Sequence, residues 1–394
     1  MSDVLVVVNC GSSSVKLDVF DLAAQANPVQ AKVERVGTAE ATLTVLADDA
    51  PKREEALGQA DHARAVGALL DAVEGHGFTV VGVGHRVVHG GEKLTASVRI
   101  DDSVLAAIEA CVPLAPLHNP ANLLGIRAVA ERMPNVPQVA VFDTAFHATL
   151  APAAYLYAIP QRLRTEHGMR RYGFHGTSHR YVAARACAFL DRPASATKLL
   201  TLHLGNGCSA CAIDGGRSVD TTMGMTPLEG LVMGTRSGDL DPALVLQLAR
   251  DLGIAETERL LNKESGLLGL SGQSQDMRDL LIRREAGDPD ASLAVAVFVH
   301  RARKYVGALA ASLGGVDAIV FTGGIGEHAA AVRAEICEGL TFLGATLDPA
   351  ANAAKSTAER DVATADSRVR ILVVGTDEER AIAVDTAELL GLRG

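Results

Sequence analysis

The sequence predicts an α/β protein of two related halves, each presenting a glycine turn to a shared cleft. Apolar runs of strand length alternate with stretches of helical periodicity along all 394 residues. Three of those runs break into glycine: Leu5 to Val8 ahead of Gly11, Leu199 to Leu204 ahead of Gly205 and Gly207, and Ala318 to Phe321 ahead of Gly323, Gly324 and Gly326. Turns without side chains let backbone N–H groups approach an anion closely, as phosphates require. A shift of 196 residues also lays Val4 to Asp18 along Leu200 to Asp214, matching Gly11 to Gly207, Ser13 to Ser209 and Asp18 to Asp214. A repeat at half the chain length suggests duplicated halves.

Composition narrows the function. With 48% hydrophobic and 21% charged residues the chain is an ordinary globular one, long enough for two domains. A net charge of -10, no Trp and 4% aromatics argue against a nucleic-acid binder. Leu5 to Val8 has no basic residues before it and is too short for a signal peptide, so the expected location is cytoplasmic. The longest apolar helical stretch, Ala291 to Leu313, carries His300, Arg301, Arg303 and Lys304, which a membrane span would not tolerate. Six scattered cysteines form no disulfide framework. Cys208 and Cys211 fall inside a predicted strand, whose alternation aims them oppositely, and no second pair completes a zinc site.

Taken in order, the first apolar run, the Gly11 turn and the following strand make a hairpin, and residues 22 to 60 alternate weakly, as sheet-edge strands and loops do. Asp61 to Glu74 places Val66, Leu69, Leu70 and Val73 at helical spacing and stops at Gly75. The strand-like TVVGVGHRVVHGG follows, with Arg86 where a strand leaves the sheet, a usual place for binding groups in α/β folds. APLHNPANLLGIRAV reads as a loop entering a helix capped by Asn119, with Pro120 at its first position. Val139 to Phe142 is a strand ending in Asp143, a placement that suits a metal or catalytic group and equally an N-cap.

RRYGFHGTSHRY, residues 170 to 181, packs three basic residues and two histidines around two glycines, a constrained loop that aims side chains, before a helix from about Ser178 to Leu190. Leu199 to Leu204 and Cys208 to Ile213 are strands, and Asp214-Gly215-Gly216 signals a further hairpin. Pro242 to Leu261 and Ala291 to Leu313 read as helices with the polar SGQSQDMRD between them. Ala318 to Phe321 is a strand, and a helix follows the glycines from about His328. Those glycines also fit Gly-x-Gly-x-x-Ala, but the acidic residue a dinucleotide site would want, Asp348, precedes Pro349 in an apparent loop. VRILVVG is the last strand, and Asp377, Glu378 and Glu379 open a closing helix to Leu390, where they could hold a cation or complement the helix dipole.

The stretches NCGSSSVK, HRVVHGG, APLHNPANL, FDTAFH, RRYGFHGTSHRYV, HLGNG, TMGMTPLEGLVMGTRSGDLDP, FTGGIGE and TDEERAI together resemble the acetate kinases, from the first strand to the last helix. The resemblance implies two ribonuclease-H-like domains of the actin-like ATPase fold around a central nucleotide cleft, residues 1–147 plus 380–394 and residues 148–379. It implies reversible transfer of the γ-phosphoryl group of ATP to acetate, giving acetyl phosphate and ADP, with Mg2+ (Mn2+ able to substitute), in a homodimer. Carried over by position, Asn9 and Glu378 match the metal-associated residues, and Lys16 a nucleotide-contacting lysine. His203, Leu204, Gly205, Asn206 and Gly207 match one ATP loop, Asp276, Met277 and Arg278 a second, and Gly324, Ile325, Gly326, Glu327 and His328 a third.

By the same resemblance, Arg86 matches the substrate-carboxylate ligand, Asp143 the catalytic aspartate, and His175 and Arg236 the transition-state stabilisers. Val88, Leu117, Phe174 and Pro227 line the pocket for the substrate methyl group. Acetate is already ionised near neutral pH, so Asp143 is expected to organise metal and geometry rather than abstract a proton. His328 and Asp377 depart from the family's usual Asn, which bears on the adjoining nucleotide and metal contacts. A kinase for propionate or another short acid shares the same machinery. A non-enzymatic ATP-binding protein of the actin or chaperone type would not need Arg86, Phe174 and Arg236 together.

Overall fold

The computed structural model describes residues 2–48 and 50–392, in two compact units: the chain up to Phe146 with the segment from Asp377 onward, and His147–Thr376. The first unit is built on an eight-stranded sheet. Its strands are β1 (Asp3–Cys10), β2 (Ser14–Asp21), β3 (Ala26–Glu34), β4 (Ala41–Ala47), β5 (Ala50–Gly58), β6 (Thr79–Val87), β7 (Val98–Arg99) and β8 (Gln138–Phe142). They lie in the order β5-β4-β3-β2-β1-β6-β8-β7. The weakly alternating stretch after the first hairpin thus forms three ordered antiparallel strands, with the charged, exposed β5 as an edge.

β1 is apolar on both faces because both are covered. Val4, Val6 and Val8 join the core under the helix His62–Glu74, with Val66, Leu69, Leu70 and Val73. Leu5 and Val7 pack with Ile382 and Ala383 of the C-terminal helix Glu378–Leu390. The glycines of β6 make that second layer possible: a Cβ on Gly84 would lie 2.4 Å from Thr386 Oγ1, and one on Gly82 2.5 Å from Leu390 Cδ1.

The second unit has a six-stranded sheet of β9 (Lys198–Leu204), β10 (Cys208–Asp214), β11 (Arg217–Thr221), β12 (Ala318–Thr322), β13 (Arg360–Asp361) and β14 (Arg370–Val373). The order β11-β10-β9-β12-β14-β13 repeats the antiparallel meander followed by parallel strands that β3-β2-β1-β6-β8 shows in the first unit. The helix Pro289–Leu313 is buried along Ala291, Ala294, Val295, Phe298, Val299 and Ala302, and no helix among the described residues is long and apolar enough to cross a membrane. All six cysteines are free and buried.

Three local expectations are corrected and one is supplemented. The offset of 196 is wrong in register: Cys10 pairs with Val15 across a longer turn, whereas Leu204 pairs with Cys208, so Gly11 and Gly207 are not equivalent positions. Asn119 does not cap its helix, which spans Asn119–Arg132 after His118; its carboxamide points to the sheet instead. The helix expected from about His328 is present as Ala330–Cys337, but a further short helix, Gly323–His328, precedes it, because Gly323 at φ 75° turns the chain directly out of β12. Pro242 to Leu261 is two helices, Pro242–Leu252 and Ile254–Lys263, separated by Gly253 at φ 84°.

Candidate active site

In the first unit β1, β6 and β8 are parallel neighbours, so their carboxyl ends bring Asn9, Arg86 and Asp143 to one edge of the sheet. Arg86 grips Asp143 with a two-pronged fork, Nε to Oδ1 at 2.9 Å and Nη2 to Oδ2 at 2.7 Å. The aspartate side chain is 2% exposed and the arginine 24%, so this is a largely desolvated pair. Burial opposes the Arg86 charge, but Asp143, Glu378 and Glu379 outweigh it and raise its pKa.

Glu378 opens the C-terminal helix behind its cap Asp377, and its Oε2 is shielded from solvent with no hydrogen-bond partner. Burial raises the Glu378 pKa and Asp143 adds to that, while Arg86 and Lys16 work against it. Lys16 stands on β2 opposite Asn9. The exit of β6 is held by side chains from elsewhere in the sequence: Val88 N–H donates to Asn122 Oδ1 (3.1 Å), His89 N–H to Asn119 Oδ1 (3.1 Å) and Gly90 N–H to Thr144 Oγ1 (3.1 Å). Asn122 also donates to the Cys10 carbonyl at 2.8 Å, tying the ends of β1 and β6 together. Val88 is buried, whereas Leu117 is 47% exposed.

Among the described residues no three His, Cys, Asp or Glu side chains form a self-contained metal cage. Mg2+ needs none, since it keeps several waters and takes one or two carboxylates plus substrate phosphates. The unpartnered oxygen of Glu378, in the electrostatic reach of Asp143, is a hard donor of the right kind. These residues therefore fit a divalent cation.

The second unit carries the other expected residues. His175 sits at φ 57°, a left-handed conformation, between Gly173 and the helix Gly176–Phe189. Gly173, at φ 77°, is forced: a Cβ there would come within 2.6 Å of Thr221 Cγ2 and 2.7 Å of His147 Cδ2. The His175 ring stacks on His203 of β9, with centroids 4.3 Å apart and planes 25° from parallel. Its Nδ1 lies 2.8 Å from Ser209 Oγ on β10. A Cβ on Gly207 would meet Arg236 Nη2 at 2.7 Å and His175 Nε2 at 3.3 Å, so both tips converge over this glycine. Arg236 is fixed from behind by Nη1 donating to the Pro227 carbonyl at 2.6 Å.

Gly234 N–H donates to the Asn206 carbonyl (2.9 Å), which locks the Gly205–Gly207 turn to the segment bearing Arg236. Phe174 is 2% exposed, and its carbonyl accepts from His147 Nε2 at 3.0 Å. At the third glycine turn, Glu327 Oε1 accepts from Gly323 N–H at 2.9 Å, closing the short helix on itself. Arg333, 1% exposed, donates to the Gly326 and Glu327 carbonyls, so Gly324, Ile325, Gly326, Glu327 and His328 are held as one piece. Asp276 caps Met277–Glu285 and pairs with Arg278, whose side chain is 85% exposed.

Sequence reading missed the residues that brace these groups. Arg171 pairs with Glu229 at 2.5 Å and donates to the Thr221, Thr222 and Met223 carbonyls, and Tyr157 also bonds Glu229. Only the basic cluster around Arg170 hinted at them. Asn122 gave no signal beyond lying in the same helix as Asn119.

The acetokinase family model matches residues 4–384. An acetate kinase of Desulfitobacterium hafniense is 48% identical over 395 residues, covering 98% of this chain and 99% of that protein. Among solved structures, the Porphyromonas gingivalis acetate kinase is 42% identical with a TM-score of 0.93, covering 99% of this chain and 100% of its own. A propionate kinase from Francisella tularensis is 41% identical, also with a TM-score of 0.93 and the same coverage.

Proposed function

The chain belongs to the acetokinase family, and we infer from that membership that it transfers the γ-phosphoryl group of ATP to acetate, reversibly, giving acetyl phosphate and ADP. The observation that carries the reading is the match of the family model over residues 4–384. The side-chain geometry supports the allocation of roles. An acetate carboxylate and a triphosphate repel each other, so the reaction needs cations placed before the substrates meet. Arg86, already oriented by Asp143, binds the carboxylate, and Val88, Leu117, Phe174 and Pro227 receive its methyl group.

Arg236 and His175, converging over Gly207, meet the transferring phosphoryl group. His203 to Gly207, Asp276 to Arg278, Gly324 to His328 and Lys16 hold the nucleotide. Asp143 keeps Arg86 charged and aimed and needs to take no proton from an acid already ionised near neutral pH. Asn9 and Glu378 would hold Mg2+, which Mn2+ could replace, and the ion when bound neutralises phosphate charge.

The functional domains on this reading are residues 1–147 with 380–394 and residues 148–379. The protein works in the cytoplasm as a homodimer through the second domain. The helix Pro242–Leu252 supports that assembly: it buries no residue, and Leu244, Leu246 and Leu252 with the adjoining Ile254 are 45–80% exposed. Turnover with acetate, propionate and butyrate side by side, trapping the acyl phosphate as hydroxamate, tests the activity. No acyl phosphate from any of the three would sink it, and a preference for propionate would move the assignment to the sister kinases.

A further inference from the structure

His175 is one of four histidines gathered in the second unit. His179 lies T-shaped to His147 at 5.8 Å and to His203 at 6.4 Å, fully buried one helical turn after His175. A row of short contacts links it to His175: Thr201 Oγ1 to His179 Nδ1 at 2.7 Å, His179 Nε2 to Ser209 Oγ at 2.8 Å, and Ser209 Oγ to His175 Nδ1 at 2.8 Å. Thr201, His179 and Ser209 are all at 0% exposure, so water cannot supply alternative partners.

Each hydroxyl in the row has one proton, and so does a neutral imidazole. The Thr201 hydroxyl has a 2.7 Å contact with His179 Nδ1 and only a 3.5 Å contact with the Cys211 carbonyl. A buried hydroxyl gives its proton to the short contact. Thr201 then donates to His179 Nδ1, His179 donates from Nε2 to Ser209, and Ser209 donates to His175 Nδ1. The proton of a neutral His175 is left on Nε2, the nitrogen over Gly207.

We propose that Ser209 and His179 are positioning residues that fix the tautomer of His175, so that the uncharged ring presents an Nε2–H donor to the transferring phosphoryl group. The proposal rests on the reading of His175 as a phosphoryl-contacting residue. The groups around the ring make the tautomer matter. Arg236 from the loop and His203 from β9 stand against it, and His179 follows it on the helix; a second positive charge beside Arg236 is disfavoured until an anion arrives. Full burial and the neighbouring His147 and His203 push the His179 pKa well down, which keeps this link of the chain neutral. A neutral ring with its proton on the wrong nitrogen would present a lone pair to the phosphoryl oxygens, and a misassigned tautomer is severely damaging at other catalytic histidines.

The test uses the full-length protein. Ring 15N NMR, with His175→Gln identifying the signals, should show His175 protonated on Nε2 and bare on Nδ1 at neutral pH. Ser209→Ala should give a mixture of tautomers and lower kcat about 10–100-fold at pH 8, with KM for acetate and ATP little changed. Ser209→Thr, which keeps the hydroxyl, should restore most of the rate, and Thr201→Val should give a smaller loss of kcat, again with KM little changed. A neutral His175 protonated on Nδ1 in the wild type, or a Ser209→Ala enzyme with wild-type kcat at every pH, overturns the proposal. Undiminished kcat in His175→Ala would instead overturn the role given to His175, and the NMR signal would still decide the tautomer.

Discussion

Gly207→Ala probes the site at the point where Arg236 and His175 converge. Gly207 is not among the glycines held at positive φ, so alanine suits its backbone. The new methyl would stand 2.7 Å from Arg236 Nη2 and 3.3 Å from His175 Nε2. Ordinary contact requires about 0.7–1 Å more at the arginine. The guanidinium is the far end of a flexible side chain and can move, so folding stability should change by less than about 1 kcal/mol. Moving, however, strains its bond to the Pro227 carbonyl and takes Nη2 off its target. A misplacement of about 1 Å at a reacting centre costs on the order of a hundredfold. We expect kcat to fall about 100-fold, near 2.7 kcal/mol of transition-state stabilisation, with ADP binding measured by calorimetry nearly intact. The hydroxamate assay reads kcat and KM separately. A kcat within about threefold of wild type would refute the convergence of Arg236 and His175 on the phosphoryl group.

Three further outcomes follow from the first unit. Arg86→Ala leaves the Asp143 carboxylate desolvated and unpaired, so it should cost about 3 kcal/mol in urea unfolding, and the Arg86→Ala/Asp143→Ala double variant should cost clearly less than the two single losses together; simple additivity would contradict a coupled pair. Asp18, 7% exposed, has its pKa pushed up to about 6 by burial, with Glu379 adding to the shift. The folded state therefore binds more protons than the unfolded one from about pH 4 to 6, and stability drops as pH rises through that window. Asp18→Asn should melt higher than wild type at pH 8 and match it near pH 4, and equal melting at both would discount the shift. Val88→Ala should raise the propionate-to-acetate ratio of kcat/KM, by no more than the 1–3 kcal/mol one methylene is worth, and an unchanged ratio would misplace the methyl pocket.

Much of the architecture was legible because strand and helix periods are local. Val66, Leu69, Leu70 and Val73 marked their helix, and the apolar runs ahead of each glycine turn marked β1, β9 and β12. The motifs around Arg86, Asp143, His175 and Arg236 were also legible, since a functional loop spells its chemistry in consecutive residues. Hairpin register was not. It depends on how many residues each turn uses, and one residue of difference moves every partner along the ladder.

The bracing of the site belonged to tertiary structure alone. Ser209 reaches His175 because β10 pairs with β9 so that Ser209 faces His203, a relation no spacing in the sequence records. Asn119 looked like a helix cap because Asn before Pro usually is one, yet its carboxamide found the backbone of His89, just past the end of β6 and 30 residues away. The sequence by itself thus determined most of the elements and the motifs that nominate Arg86, Asp143, His175 and Arg236 for the proposed site. The tertiary structure decided the partners of those residues, because hydrogen bonds between buried polar groups depend on distances of a few tenths of an ångström that only the packed sheet and its covering helices set.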